Sequence, residues 1–266
     1  MSAIFSSKFN HVSLVRLLRK CCYRFVGTCP TEAFDEVLNG IENDLIFVPN
    51  ATVSSGNKQQ RETVRKLLSQ LLTGDQRLRL IPQFINEIEE QNLIDEAEIS
   101  LKRLRYEDDH WDDAIHRYRE TEKSQWNQAN QQIIDRIKKF AFPLDQKIHT
   151  HVHVLDIAAD GYIKPHIDSV RYCGETIAGV SLLSDAVMRL KHNVHSNCVC
   201  DLQLSRRSLY LLSGIGRHEF THEILSDSES YWRSEHIPRE RRISIMCREL
   251  PVCEELNTNT ENKISC

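Results

Sequence analysis

The sequence has no apolar run approaching the ~20 residues that a membrane-spanning helix needs, and none is expected. Its nine cysteines, at positions 21, 22, 29, 173, 198, 200, 247, 253 and 266, follow no regular framework spacing. Three fall in residues 1–31, and the rest read as reduced thiols of an intracellular compartment rather than as a disulfide scaffold. A net positive charge is lacking outside the N-terminus. The 266 residues carry a formal −4, but residues 1–31 lack Asp and Glu and contribute +5, which leaves residues 32–266 at −9. Affinity for nucleic acid comes largely from Lys and Arg neutralising phosphates. A general nucleic-acid binder is therefore disfavoured, a local basic patch aside.

What remains is ordinary globular composition, 40% hydrophobic and 27% charged, enough for one sizeable core with a small extension. Residues 1–31 set Lys8, Arg16, Arg19, Lys20 and Arg24 against an apolar face of Val12, Val15, Leu17 and Leu18, with Ser2, Ser6, Ser7 and Ser13 among them. This is the composition of a mitochondrial transit peptide; the alternative is a disordered basic tail that binds acidic surfaces. Residues 32–78 give a short helix at Glu32–Asn39, a strand at Leu45–Val48, a loop over 51–60 and an amphipathic helix from Arg61 to Leu72 ended by Gly74. They read as a variable extension packed on the main domain. Further helices are expected from Ile85 to Leu101 and from Gln125 to Phe140. From Lys147 the pattern changes to about eight short strands: 147–157, 162–168, 174–183, 186–191, 199–204, 208–213, 218–224 and 240–248. The expected fold is α+β, with N-terminal helices on a double-stranded β-helix, a jelly roll whose mouth can hold a metal and a small acid. The tail 251–266 reads as disordered.

The chemistry centres on Gly161-Tyr-Ile-Lys-Pro-His-Ile-Asp168. His166 and Asp168 stand two apart, so on an extended backbone they share a face. An imidazole beside a carboxylate is two thirds of the 2-His-1-carboxylate triad that holds non-haem Fe(II) and leaves positions open. His222 is the candidate for the third ligand, and His218, on the same expected strand face, is its rival. Arg242-Ile-Ser-Ile-Met-Cys-Arg248 is an alternating strand: Arg242, Ser244, Met246 and Arg248 on one face, Ile243, Ile245 and Cys247 on the other. An arginine fork suits bidentate capture of a carboxylate, and Tyr210 offers a hydroxyl between the two histidine words. Metal ligands, carboxylate clamp and phenol in this order suit an iron site that binds a dicarboxylate co-substrate.

These motifs resemble the AlkB group of Fe(II)/2-oxoglutarate dioxygenases, and its mitochondrial members most. The resemblance covers residues 79–250. It is carried by His-x-Asp, the distal His, the Arg-to-Arg strand, and the words Tyr106-Glu-Asp-Asp-His-Trp-Asp, Arg119-Glu-Thr-Glu-Lys-Ser, His153-Val-Leu-Asp and Thr176-Ile-Ala-Gly-Val-Ser-Leu-Leu-Ser. It decides for His222 over His218. It implies Fe(II) on His166, Asp168 and His222, with 2-oxoglutarate and O2 as co-substrates. Arg242 then anchors the far carboxylate, Tyr210 adds a hydrogen bond, Ser244 lines the pocket, and Arg248 helps at the metal end. In the AlkB group, Asn and Thr usually stand between the two arginines. Ser244 and Met246 stand there in this chain, which implies thinner hydrogen bonding to the co-substrate. The resemblance further implies a dioxygenase of the mitochondrial matrix that oxidises a protein or metabolite, with a link to energy and fatty-acid metabolism and to regulated necrosis. A demethylase of mitochondrial RNA and a non-catalytic binding module are the alternatives. The acidic window Glu107–Asp113 suits an electrostatic funnel for single strands poorly.

Other clusters compete. His149, His151 and His153 alternate along the expected strand 147–157 and read as a polar face, since their Cβ atoms spread over about 13 Å; by resemblance His153 lies near the cofactor. His192, His195, Cys198 and Cys200 could suit zinc but read as a turn between strands. His110 and Trp111 either shape a substrate entrance or form a half-buried aromatic pair.

Overall fold

The computed structural model describes residues 45–73 and 78–251. The expected transit segment, the helix at Glu32–Asn39, Gly74 and all but the first residue of the tail lie outside the described residues. In chain order the elements are β1 (Ile46–Phe47), α1 (Asn50–Ser54), α2 (Lys58–Thr73), β2 (Arg79–Ile81), α3 (Glu87–Leu101), β3 (Glu107–Asp109), β4 (Ile115–Lys123), α4 (Gln128–Ala141) and β5 (Val152–His166). There follow β6 (Ile177–Leu182), β7 (Ala186–His192), β8 (Val199–Leu204), β9 (Leu209–Leu212), the single turn α5 (Ile215–His218), β10 (Phe220–Ile224), β11 (Tyr231–Trp232), β12 (Glu235–His236) and β13 (Arg242–Arg248).

Residues 51–60 are not the loop that composition suggests. Asn57 and Gln60 exchange side-chain-to-backbone hydrogen bonds of 2.8 and 3.0 Å. This capping arrangement satisfies the first free amides and starts α2 at Lys58. Gly56, at φ +86°, supplies the left-handed turn that separates α1 from α2. Within the segment read as an extension, β1 adds an edge strand to β8 through Ile46↔Leu202 and Phe47↔Asp201.

All the strand pairings are antiparallel. The main sheet runs β1-β8-β7-β10-β5-β13-β6-β9-β2, with β4 along the other side of β5. The pivot is β5. One edge pairs with β4 from Val152 to Ile163. The other pairs with β13 over His153–Ile157 and then with β10 over Ile163–His166. One strand thus joins two four-stranded wings, β13-β6-β9-β2 and β10-β7-β8-β1, which curl around a cavity as a jelly roll. The sequence pattern suggested two strands here, 147–157 and 162–168. The structure makes them one, starting at Val152, and accommodates the break as a bulge over residues 158–161. Gly161 is required there: a Cβ would stand 2.7 and 2.8 Å from the carbonyl oxygens of His116 and Arg117, closer than any side chain tolerates.

The two faces of the main wing differ. Leu93, Ala97 and Leu101 of α3 and Ile133, Ile134 and Ile137 of α4 pack onto Val152, Val154, Ala178, Val180, Ile243 and Ile245. Each fully buried aliphatic side chain there contributes about 1.5–3 kcal/mol. The same outer layer holds Asp156, which is fully buried. It accepts hydrogen bonds from Arg119 Nε at 2.7 Å, Arg241 Nε at 2.9 Å and Nη2 at 2.7 Å, and the Tyr106 hydroxyl at 3.1 Å. The inner face of the wing lines the cavity. No helix among the described residues is long and apolar enough to cross a membrane.

Candidate active site

Strand pairing builds the metal-type cluster. His166 ends β5, and β10 sets His222 directly opposite it in register. Paired residues on adjacent strands point to the same side of a sheet, so the two rings meet with centroids 4.3 Å apart. Asp168 follows the strand end. Its Oδ1 lies 3.6 Å from His166 Nε2 and its Oδ2 3.9 Å from His222 Nε2. One ligand atom from each of the three falls within a 4.8 Å span, and ligands bound at about 2.0–2.2 Å to one ion lie at comparable separations.

Electrostatics suits the same use. His166 Nδ1 lies 2.9 Å from the Lys164 carbonyl oxygen. A carbonyl only accepts, so Nδ1 carries the proton and the Nε2 lone pair faces Asp168. Burial pushes the His222 pKa down to about 4, with the charges of His166, Arg217 and Arg248 acting the same way, so the ring is neutral. Burial opposes ionisation of Asp168, but the His166 bond and the charges of His222, His166 and Arg248 outweigh it and hold the carboxyl well below its usual range. His166 is shifted upward: burial opposes its charge, and the bond to Asp168 overcomes that. A metal cation at Nε2 would take the place of that extra proton.

His218 is not on the strand that the sequence suggested. It closes the turn α5, where its Nε2 meets Glu175 Oε2 at 2.9 Å, and β10 starts two residues later. Of the two histidines, His222 is the one that stands with His166 and Asp168.

The cavity wall comes from β13, β6 and β9. Arg242, Ser244, Met246 and Arg248 face the cavity, while Ile243, Ile245 and Cys247 face the helices, as the alternation predicts. Arg242 is 1% exposed. Its Nε donates to Ser181 Oγ at 2.9 Å, and it is hydrogen-bonded to the buried Tyr210 hydroxyl. Its Nη2 is buried without a partner, and no carboxylate of the described residues pairs with it. Burial lowers the Arg242 pKa and raises that of Tyr210. Gly179 makes the arrangement possible, since a Cβ there would land on the Tyr210 ring. Sequence reasoning missed Gly179 and Ser181, although both stand in the Thr176–Ser184 word.

The inner chamber, about 50 Å³, is bounded by His166, Asp168, His222, Tyr210, Arg242, Ser244 and Arg248. It adjoins a cleft of about 820 Å³ that shares His153, His166, Asp168 and Arg248 with it. His110 and Trp111 stand on the cleft wall, Trp111 85% exposed. Their rings are in contact, with centroids 5.5 Å apart, and of the two His110 is largely buried. The three histidines do not share one strand, although all three line the cleft. β5 starts at Val152, His149 instead meets the Tyr172 carbonyl oxygen at 2.8 Å, and only His153, 8% exposed, is buried against the cavity. The soft cluster at His192–Cys200 is a turn: His192 Nδ1 accepts from the amides of Val194 and His195, and burial pushes the Cys198 thiol up to about 12. The family model for the 2OG-Fe(II) oxygenase superfamily matches residues 66–248.

The chain belongs to the 2OG-Fe(II) oxygenase superfamily.

As in that superfamily, the enzyme is a 2-oxoglutarate-dependent dioxygenase, with Fe(II) as its metal and 2-oxoglutarate and O2 as co-substrates. Within it the chain is AlkB-like. It is 52% identical to the alpha-ketoglutarate-dependent dioxygenase alkB homolog 7, mitochondrial, of Mus musculus over 170 residues, which is 64% of this chain and 77% of that protein. The protein of the same name from Bos taurus is 51% identical over the same shares. The names of both relatives support a mitochondrial location for this oxygenase. Among solved structures, a Pseudomonas putida prolyl-4-hydroxylase superposes with a TM-score of 0.47 at 11% identity, covering 71% of this chain and 98% of that one.

Proposed function

We propose that His166, Asp168 and His222 hold the Fe(II), that Arg242 with Tyr210 takes the far carboxylate of 2-oxoglutarate beside Ser244, and that Arg248 serves the metal end. The observation that carries this reading is Arg242. A buried cation without a carboxylate costs several kcal/mol, and the free Nη2 is orphaned beside a chamber bounded by three metal-ligating side chains. A dicarboxylate that spans the chamber satisfies both ends. The donor set of two neutral imidazole nitrogens and a carboxylate fits Fe(II) with open positions.

When bound, iron, 2-oxoglutarate and O2 would together supply the chemistry that oxidises a substrate C–H bond, with O2 as the oxidant. The protein's own groups do the rest. The Lys164 carbonyl orients His166, Ser181 and Tyr210 aim Arg242, and Leu155, Ile177 and Leu212 wall the chamber from water.

The substrate of this reading is a protein or metabolite of the mitochondrial matrix, reached through the 820 Å³ cleft. Asp112, Glu120 and Glu122 line that cleft, and Arg248 is the single Lys or Arg among its described lining residues, a poor match to a phosphate backbone. Residues 79–250 would form the catalytic domain, residues 32–78 its extension and residues 1–31 the transit segment. The link to energy and fatty-acid metabolism and to regulated necrosis belongs to this reading.

The test is succinate formation from 2-oxoglutarate by residues 32–266 with Fe(II) and O2, with Asp168→Ala as control, together with calorimetric 2-oxoglutarate binding in the presence of inert Mn(II). Turnover lost in Asp168→Ala is expected. Absence of both turnover and binding would overturn the assignment, and tight, salt-sensitive RNA binding would favour the demethylase alternative.

A further inference from the structure

Arg248 is not free to swing. Its Nη2 hydrogen-bonds to His153 Nδ1. A guanidinium only donates, so His153 Nδ1 accepts, and the ring proton sits on Nε2. That Nε2–H donates to Glu120 Oε2 at 2.7 Å. The three side chains come from three adjacent strands, since β5 lies between β4 and β13, with His153 in register with Glu122 on one side and Met246 on the other. His153 is 8% exposed, so the ring end of each bond is shielded from water, while the Glu120 side chain stays partly exposed on the cleft wall. Burial lowers the His153 pKa against the pull of Glu120, with Arg248 adding to the decrease. The bond to His153 chiefly holds the Glu120 carboxyl below its usual value. Other charged or titratable groups face this chain of bonds: His110, whose Nε2 stands 3.7 Å from Glu120 Oε1 and whose Nδ1 is taken by Asp112, and Glu122 near His153. The opposite tautomer would turn an Nδ1–H toward the guanidinium, donor against donor.

We propose that Glu120 and His153 are positioning residues for Arg248: Glu120 fixes the Nε2–H tautomer of His153, and the Nδ1 lone pair then holds the guanidinium toward the chamber it shares with His166, Asp168 and His222. Arg248 Nε, buried and unpartnered, is left for a ligand there. The inference rests on the co-substrate reading above and assigns two residues that lie outside its anchor set. Glu120 stands in the Arg119-Glu-Thr-Glu-Lys-Ser word, whose polar residues the sequence does not tell apart.

The tautomer is what separates this role from a packing role. In His153→Asn, the amide oxygen stands near the place of Nδ1 and accepts from Arg248 without any tautomer to fix. The experiment is calorimetric binding of 2-oxoglutarate to the Mn(II)-loaded chain, with melting curves to verify folding. Glu120→Leu, which removes the acceptor, and His153→Leu are each expected to weaken binding about tenfold, the scale of outer-shell substitutions. His153→Asn should bind close to the unaltered protein, and adding Glu120→Leu to it should change nothing further. Equal binding by Glu120→Leu and the unaltered protein, or an equal loss in the His153→Asn background, overturns the relay. Should Glu120→Leu fail to fold, His153→Leu against His153→Asn carries the test alone: equal weakening of both overturns it. Failure of the unaltered protein to bind 2-oxoglutarate overturns instead the co-substrate reading on which the relay rests.

Discussion

Arg241 and Arg242 are neighbours in the chain and opposites in surroundings. Arg241 points to the outer layer, where Asp156 takes two of its hydrogen bonds and Glu98 a third contact. Arg242 points to the inner chamber, where a hydroxyl of Ser181 and that of Tyr210 are its partners and one nitrogen has none. Strand alternation sends adjacent side chains to opposite faces, and the two faces have different purposes. The outer layer is electrostatically closed and holds the fold together. The inner chamber is left open by one negative charge, and that deficit fits a ligand.

The sharpest way to break this contrast is Arg242→Met. Removing an unpaired buried cation should raise the melting temperature of the ligand-free protein, yet cost at least about 100-fold in 2-oxoglutarate affinity, the scale of losing one partner of a buried charge pair. Melting curves with and without Mn(II) and 2-oxoglutarate report both effects, since a ligand at 100 times its Kd stabilises the unaltered protein by about 2.7 kcal/mol. A ligand-free Arg242→Met protein less stable than the unaltered one would mean that Arg242 is structural after all.

Asp156→Ala should do the reverse. It strands Arg119 and Arg241 in the outer layer and is expected to cost about 3–5 kcal/mol of stability by chemical denaturation. The molecules that stay folded should bind 2-oxoglutarate normally. A loss of affinity there would mean that the two layers are coupled.

Gly179→Ala tests the boundary between them. The added methyl must displace Tyr210, at an expected cost of about 1–3 kcal/mol, with a several-fold weaker 2-oxoglutarate affinity seen by calorimetry. Unchanged affinity would remove Tyr210 from the anchor.

The smallest effect is a pH dependence. Folded His153 is held below its ordinary value of 6.5, mainly by burial, so its contribution to stability is complete above about pH 6.5. It is lost as pH falls below that value, because the unfolded side chain takes up a proton that the folded one resists. This contribution changes by no more than about 1.4 kcal/mol per pH unit. His153→Asn should therefore flatten the acid side of the stability profile, and an unchanged slope would place the acid sensitivity elsewhere.

Much of this was legible in the sequence. His166 and Asp168 are two apart, and β13 alternates so regularly that its cavity and helix faces could be assigned residue by residue. Period-2 patterning survives burial because a strand has only two faces. The α2 start at Lys58 was legible too, in Asn57-x-x-Gln60, but polar composition hid it. His218 misled because its word reads as a continuous strand, whereas the backbone takes one helical turn before β10. His149 and His151 misled for a related reason: an alternating sequence is compatible with a strand but does not say where pairing begins. Gly161 looked like a break between strands, while the structure uses its missing side chain to let one strand bulge past β4 and continue.

The sequence by itself determined the pairing of an imidazole with a carboxylate at 166 and 168, the alternation that turns two arginines and a serine inward, and the apolar faces that must be covered by helices. These are local properties, fixed by covalent spacing and side-chain chemistry. Only the tertiary structure decided that His222 stands opposite His166, that Gly179 yields its space to Tyr210, and that Glu120 reaches Arg248 through His153. Those pairings depend on strand register between segments far apart in the chain, and register is set by how the whole sheet closes, not by any one segment.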